Sequence, residues 1–171
     1  MKKISLAEFN QLSNELAAEA LLFCCGSSSW VREMALRRPF KSLVELKRHS
    51  SQVWNALSER DWKEAFSHHP KIGDLKSLKE KFAGTKAWAE EEQKGSQNAP
   101  EEVLKTLARR NETYENRFGF IFIVCATGKS AAEMLENLER RLKNTPQAEL
   151  KVAALEQDKI TQIRLEKFIY E

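Results

Sequence analysis

The fold class turns on Phe118-Gly119-Phe120-Ile121-Phe122-Ile123-Val124-Cys125. This stretch is rich in aromatic and β-branched residues, bounded by Gly119 and Gly128, and about one strand long, so by itself it argues for a β-strand. A lone strand has no partner, and the 171 residues offer no second convincing one. The run is therefore expected to be an extended or helical element buried among helices.

Outward from it, helix signals dominate. Ser130 with Glu133 caps a helix through Leu142, and Thr145-Pro146 starts a last helix carrying Val152, Leu155, Ile160, Ile163 and Ile169. On the other side Pro100 suits a first helical turn, with Val103, Leu104, Leu107 and Tyr114 following at helical spacing. Ser5 with Glu8 forms a capping box before Phe9, Leu12, Leu16 and Ala20, read as one helix ending at Gly26. Ser42 with Glu45 repeats the device before Leu46, Val53, Trp54 and Leu57, and Ser58 opens a short helix closed by His69-Pro70. A lysine-rich segment, 75–86, leads into 87–94, and 95–100 reads as a loop. The expected architecture is all-α, a single-domain helical bundle of roughly six to eight helices over 1–171.

Composition narrows the function classes. Lys and Arg outnumber Asp and Glu by 28 to 25, and the charges are interspersed. A clustered basic stripe is what nucleic acid demands, so no nucleic-acid partner is expected. Cys24, Cys25 and Cys125 are odd in number and two are adjacent, which argues against a disulfide framework and for a reducing compartment. No apolar run approaches membrane-spanning length and the N-terminus lacks a signal peptide's apolar stretch, so the expected setting is cytoplasmic, with no membrane partner.

Three ionisable features could carry chemistry. His69 precedes Pro70, which disfavours helical backbone at His69 and so aims the imidazole from the mouth of a turn; the alternative is a solvated loop histidine. Glu90-Glu91-Glu92-Gln93 spreads over a full helical turn, so one or two of the four can face a pocket, unless the run is a solvated acidic face. Arg164 sits between Ile163 and Leu165 and either snorkels to solvent or is held for an anion. His68 and His69 are too close in sequence to converge easily on one ion, the cysteines form no CxxC, and HExxH, GxGxxG, GxxxxGKS and GxSxG are absent. No metal is expected. Cys24 and Cys25 are most simply core residues.

Three patterns in order add a resemblance: His68-His69-Pro70-Lys71-Ile72-Gly73-Asp74, then Trp88-Ala89-Glu90-Glu91-Glu92-Gln93, then Tyr114-Glu115-Asn116-Arg117-Phe118-Gly119-Phe120-Ile121-Phe122-Ile123. Together with Leu138 to Asn144 and Lys159 to Leu165, they resemble the segments of the 2-oxo-4-hydroxy-4-carboxy-5-ureidoimidazoline (OHCU) decarboxylase family over nearly the whole chain. The resemblance implies an all-α, homodimeric, cofactor-free carboxy-lyase performing the last step from urate to (S)-allantoin. It places the catalytic roles on His69, Glu92 and Arg164. It places substrate contacts on Pro70, on Ala89, Glu90, Glu91, Glu92 and Gln93, and on Phe122, Ile123, Val124, Cys125 and Ala126. Two departures stand out. Ala89 lies where the family often has serine, and Ile121 where it usually has proline.

The implied chemistry accounts for the residue types. One ring carbon of the small-molecule substrate carries both hydroxyl and carboxylate beside a C=N bond that accepts the electrons released with carbon dioxide, so no cofactor is demanded. His69 would take the hydroxyl proton, Glu92 would orient N–H groups, and Arg164 would stabilise the developing anion. The competing reading is a non-enzymatic helical interaction module using the aromatic run 118–122 as a partner surface. Affinity that falls steeply with salt would mark a third, a nucleic-acid binder.

Overall fold

The computed structural model describes residues 3–69 and 101–171. Among the described residues eight helices carry the fold: α1 (Leu6–Gln11), α2 (Asn14–Leu22), α3 (Ser28–Leu36), α4 (Leu43–Ala56), α5 (Glu59–Ser67), α6 (Glu101–Phe118), α7 (Ala131–Arg141) and α8 (Pro146–Phe168). The fold is all-α, as the patterning requires. One small sheet is added to it. Ile4–Ser5 (β1) pairs in parallel with Ile169–Tyr170 (β2), Ile4 opposite Ile169. Two residues per strand are too few for a period of two to register in sequence.

Serines set the helix starts. The side chains of Ser5, Ser58 and Ser130 accept from the backbone N–H of Glu8, Asp61 and Glu133, whose carboxylates return the bond to complete capping boxes. Ser42 makes only half of one. Its hydroxyl accepts from Glu45 N–H, but Glu45 reaches past it to Lys41 N–H at 2.5 Å.

The N-terminal stripe is two helices, where one was expected. Leu12 turns extended and Ser13 caps α2 anew by accepting from Leu16 N–H. The break is held by Arg38, whose Nη1 donates to the carbonyls of Phe9 (2.9 Å), which also accepts from Leu12 N–H, and of Leu12 (2.6 Å) at the end of α1. Leu16 therefore faces outward, 52% exposed, while Ala17 and Leu21 are buried.

The chain divides into two compact units: Met1–His69 with Ile123–Cys125 and Val152–Glu171, and Pro70–Phe122 with Ala126–Lys151. The first is built on Phe9, Leu21, Trp30, Met34, Leu46, Trp54 and Phe66, all buried. Its indoles bury their rings without orphaning their N–H groups: Trp30 donates to Ser50 C=O at 3.1 Å and Trp54 to Ala154 C=O at 2.8 Å. The buried face of α8 differs from the expected apolar stripe. Leu155 is 57% exposed, and the inward residues are Ala153, Ala154, Gln157, Thr161, Leu165 and Phe168. Small and hydrogen-bonding side chains let the helix approach closely, which a stripe of large aliphatics would not.

In the second unit α6 ends at Gly119, whose φ of 76° is the left-handed conformation that glycine adopts without strain. The chain then runs without regular secondary structure through 121–126, and no strand among the described residues pairs with it. Phe118, Phe120 and Phe122 gather on Tyr114 at ring-centroid distances of 4.7, 5.8 and 5.1 Å. Phe118 and Phe120 are buried. Two of the run's three rings are thus core, and the reading of 118–122 as a partner-binding surface is not favoured, because all three rings pack on Tyr114.

Beneath that cluster lies an ion pair the patterning gave no hint of. Arg141 is 3% exposed and Glu149 not at all. Arg141 Nε donates to Glu149 Oε1 at 2.8 Å, Asn144 donates to Oε2 at 2.7 Å, and the Tyr114 hydroxyl donates to Oε1 as well. Burial together with the Glu149 carboxylate pushes the Tyr114 phenol far up, against the pull of Arg141. The guanidinium also stands 4.6 Å from the Phe122 ring centroid, a cation–π contact at the start of the irregular segment 121–126.

Candidate active site

The site is anchored by the end of α5. His68 is its C-cap, and His69 N–H still bonds Phe66 C=O at 3.1 Å, so His69 stands on the helix's last turn. The chain enters α3 close by. A Cβ on Gly26 would lie 2.4 Å from His68 Cβ and 2.5 Å from its Cγ, so the absence of a side chain at 26 is what lets the α2–α3 connection reach this corner.

His69 is half-buried, and its Nε2 lies 2.5 Å from Gln157 Oε1 on α8. Gln157 is fully buried, and its Nε2 donates to Thr161 Oγ1 at 3.2 Å. The Thr161 hydroxyl in turn donates to Gln157 C=O at 3.0 Å. Arg164 follows on the same face: seven residues are two helical turns, about 10 Å along the axis and within about 20° in angle. Its Nη1 donates to Phe23 C=O at 3.3 Å and Cys24 C=O at 3.5 Å, the open end of α2. Arg164 is half-buried rather than snorkelling free.

The segment 123–125 belongs to the same unit. Ile123, Val124 and Cys125 are buried, and Cys125 N–H donates to Glu156 Oε2 at 2.8 Å, one residue before Gln157. Phe122 and Ala126 fall in the other unit. His69, Arg164 and 123–125 are therefore brought together around α8. Pro70, Ala89, Glu90, Glu91, Glu92 and Gln93 lie outside the described residues, as does the lysine-rich segment before them.

Cys24 and Cys25 pack below Arg164 as buried core thiols. Burial pushes both up to about 12, although Arg164 pulls the other way. They hold their protons at neutral pH and offer no nucleophile. Among the described residues no cluster of His, Cys, Asp or Glu could hold a metal ion. A groove between α2 and α3, lined by Leu22, Val31, Ala35 and Leu36, contains none of the candidate residues.

Sequence reading missed Gln157 and Thr161. Both sit in a helix whose apolar residues drew attention to other faces, yet Gln157, Thr161 and Arg164 recur at the i, i+4, i+7 positions of one stripe. A polar stripe ending in arginine, inside a helix with a buried face, was the available signal.

Comparison with known proteins bears on the whole chain. The OHCU decarboxylase family model matches residues 10–166. The uric acid degradation bifunctional protein TTL of Arabidopsis thaliana is 35% identical over 156 residues, 91% of this chain and 48% of its own length. The chain thus spans about half of that relative. A Haloferax volcanii protein named 2-oxo-4-hydroxy-4-carboxy-5-ureidoimidazoline decarboxylase is 27% identical over 166 residues, 96% of each chain. The crystal structure of an OHCU decarboxylase in the presence of (S)-allantoin shares 36% identity over 91% of this chain and 97% of that one, with a TM-score of 0.71. Matched along nearly all its length in sequence and in fold, the chain belongs to the OHCU decarboxylase family.

Proposed function

We propose that this protein decarboxylates OHCU to (S)-allantoin without a cofactor, with His69, Glu92 and Arg164 as its catalytic groups. The observation that carries the reading is the buried Gln157 contact that holds His69 on the helix bearing Arg164. A histidine held by a buried partner is aimed, which a solvated loop histidine is not.

In this reading His69 takes the proton of the hydroxyl on the carbon that bears the carboxylate. The bond to the carboxylate carbon breaks, carbon dioxide departs, and the electron pair moves into the adjacent C=N. The oxygen becomes the carbonyl of allantoin, and the ureido-bearing carbon receives a proton on one face. Arg164 stabilises the anion that precedes that protonation. It holds two backbone carbonyls, so its position is fixed before substrate arrives. Glu92 orients ring or ureido N–H groups, with contacts from Pro70, 89–93 and 122–126. The family resemblance carries with it a homodimer, a cytoplasmic setting and one decarboxylase domain over 1–171. The family model's reach over 10–166 supports the last of these. No helix among the described residues is long and apolar enough to cross a membrane.

The test generates the unstable substrate from urate in the cuvette and follows the optical activity of the allantoin formed. Rapid appearance of one enantiomer is expected; racemic product at the spontaneous rate refutes the reading. In the same assay His69→Ala should lose about a hundredfold to ten-thousandfold, the usual cost of a positioned acid–base group, and His68→Ala far less. Equal losses would remove His69 from its role.

A further inference from the structure

We infer that Glu156 is a positioning residue for the segment 123–125, tying it to α8 through the Cys125 N–H, one residue before the contact that holds His69. This rests on the reading that 122–126 touches substrate, and adds what fixes that stretch in place.

The segment needs such a tie. It has no helical ladder of its own and no strand partner among the described residues, so regular secondary structure does not set its path. Ile123, Val124 and Cys125 are nonetheless buried, and a buried backbone N–H costs the fold unless it meets an acceptor. Cys125 N–H meets the Glu156 carboxylate, donating to Oε2 at 2.8 Å. A charged acceptor makes this one of the stronger bonds a backbone amide can form. The other oxygen, Oε1, accepts from Lys159 Nζ at 2.6 Å, a cation one helical turn further on. The Glu156 side chain is 13% exposed and that of Lys159 62%, so the carboxylate is turned toward the segment while the lysine stays in solvent.

The place of this contact on α8 gives it its consequence. Glu156, Gln157 and Asp158 are consecutive, so each points about 100° around the helix from the last. Each meets a different part of one compact unit. Asp158 Oδ2 accepts from Ser51 Oγ on α4 at 2.8 Å, Gln157 Oε1 stands 2.5 Å from His69 Nε2 at the end of α5, and Glu156 takes Cys125. A single turn of α8 therefore sets the segment and the histidine against each other, and releasing Glu156 frees the segment without touching His69.

Two variants of the whole protein test this, read by hydrogen exchange of the Cys125 amide and by kcat and KM on substrate generated from urate. Glu156→Ala removes the acceptor, and Glu156→Gln keeps an oxygen in its place. A contact used equally by substrate and transition state shows in KM rather than kcat. In Glu156→Ala the exchange rate of the Cys125 amide and KM should each rise about tenfold, with kcat and the exchange of the buried α4 amides near wild type. Glu156→Gln should restore most of both. Unchanged Cys125 exchange in Glu156→Ala overturns the proposal, and so does a Glu156→Gln as damaged as Glu156→Ala, since the acceptor would then not be what matters. A loss confined to kcat overturns it as well, because it would put Glu156 in the chemical step. Faster Cys125 exchange with KM and kcat both at wild-type values leaves the tie standing and takes 122–126 out of the substrate site, so the two failures are distinct.

Discussion

Gly26→Ala should damage both stability and turnover, by an amount readable from the geometry. The new methyl carbon would stand 2.4 Å from His68 Cβ and 2.5 Å from His68 Cγ. Carbon atoms rest at about 3.5 Å or more, so the pair must separate by at least about 1 Å. No rotamer relieves this, because a Cβ is fixed by its own backbone. Either the α2–α3 connection or the last turn of α5 has to move. Overpacking of this kind costs about 1–3 kcal/mol. For a chain of this size that corresponds to a fall in Tm of about 2–12 °C. If α5 yields, His69 moves with it, and a misplacement near 1 Å can cost up to about a hundredfold in turnover. Thermal melts and the allantoin assay read the two effects separately. The decisive control is His68→Gly, which removes both clashing carbons; His68→Ala keeps Cβ and gives no relief. In the His68→Gly background the extra cost of Gly26→Ala should nearly vanish, a coupling of at least about 1 kcal/mol. Equal costs of Gly26→Ala in both backgrounds would refute the reasoning, since the contact would then not be its cause.

Two further outcomes follow from the same unit. Arg164→Lys should keep the fold and lose at least about tenfold in turnover, roughly 1.4 kcal/mol, because an ammonium lacks the planar set of donors that spans two carbonyls and an anion. Near wild-type turnover would take Arg164 out of the site, and matched losses of turnover and Tm would make it only the cap of α2. Cys24 and Cys25 should make the protein alkali-sensitive. Their ordinary value of 9.0 is raised to about 12 on folding, so the folded chain holds protons that the unfolded chain releases. Stability from this source is complete below about 9 and declines as pH rises from there toward 12. Cys24→Ala with Cys25→Ala should flatten that limb in Tm against pH, and an unchanged limb would assign it to other groups.

Much of the fold was legible because its signals are local. A serine three residues before an acid marks a helix start whatever surrounds it, and Ser5, Ser58 and Ser130 each did so. The same locality explains the misreading at residues 6–22. Phe9, Leu12, Leu16 and Ala20 keep helical spacing across a break whose cause is Arg38, some two dozen residues away. The β1–β2 pair was hidden for a related reason, since its strands lie at opposite ends of the chain.

The candidate site was legible at the residues a backbone constraint or a family motif singles out, and not at those defined by burial. Pro70 marks His69, and Arg164 interrupts an apolar run, so both announce themselves. Gln157 does not, because glutamine on a helix is ordinarily solvated and only the tertiary fold says that this one is fully buried. Arg140 and Arg141 put the point most sharply. Adjacent, identical in type and inside one charged run, they are indistinguishable in sequence, yet a rotation of about 100° sends Arg140 to Asn137 at the surface and Arg141 into the core. There it meets Glu149 from the next helix, and a buried charge is tolerable only because that carboxylate, Tyr114 and Asn144 complete its shell. Function at such positions is a property of which helix lies opposite, and no window of sequence contains it.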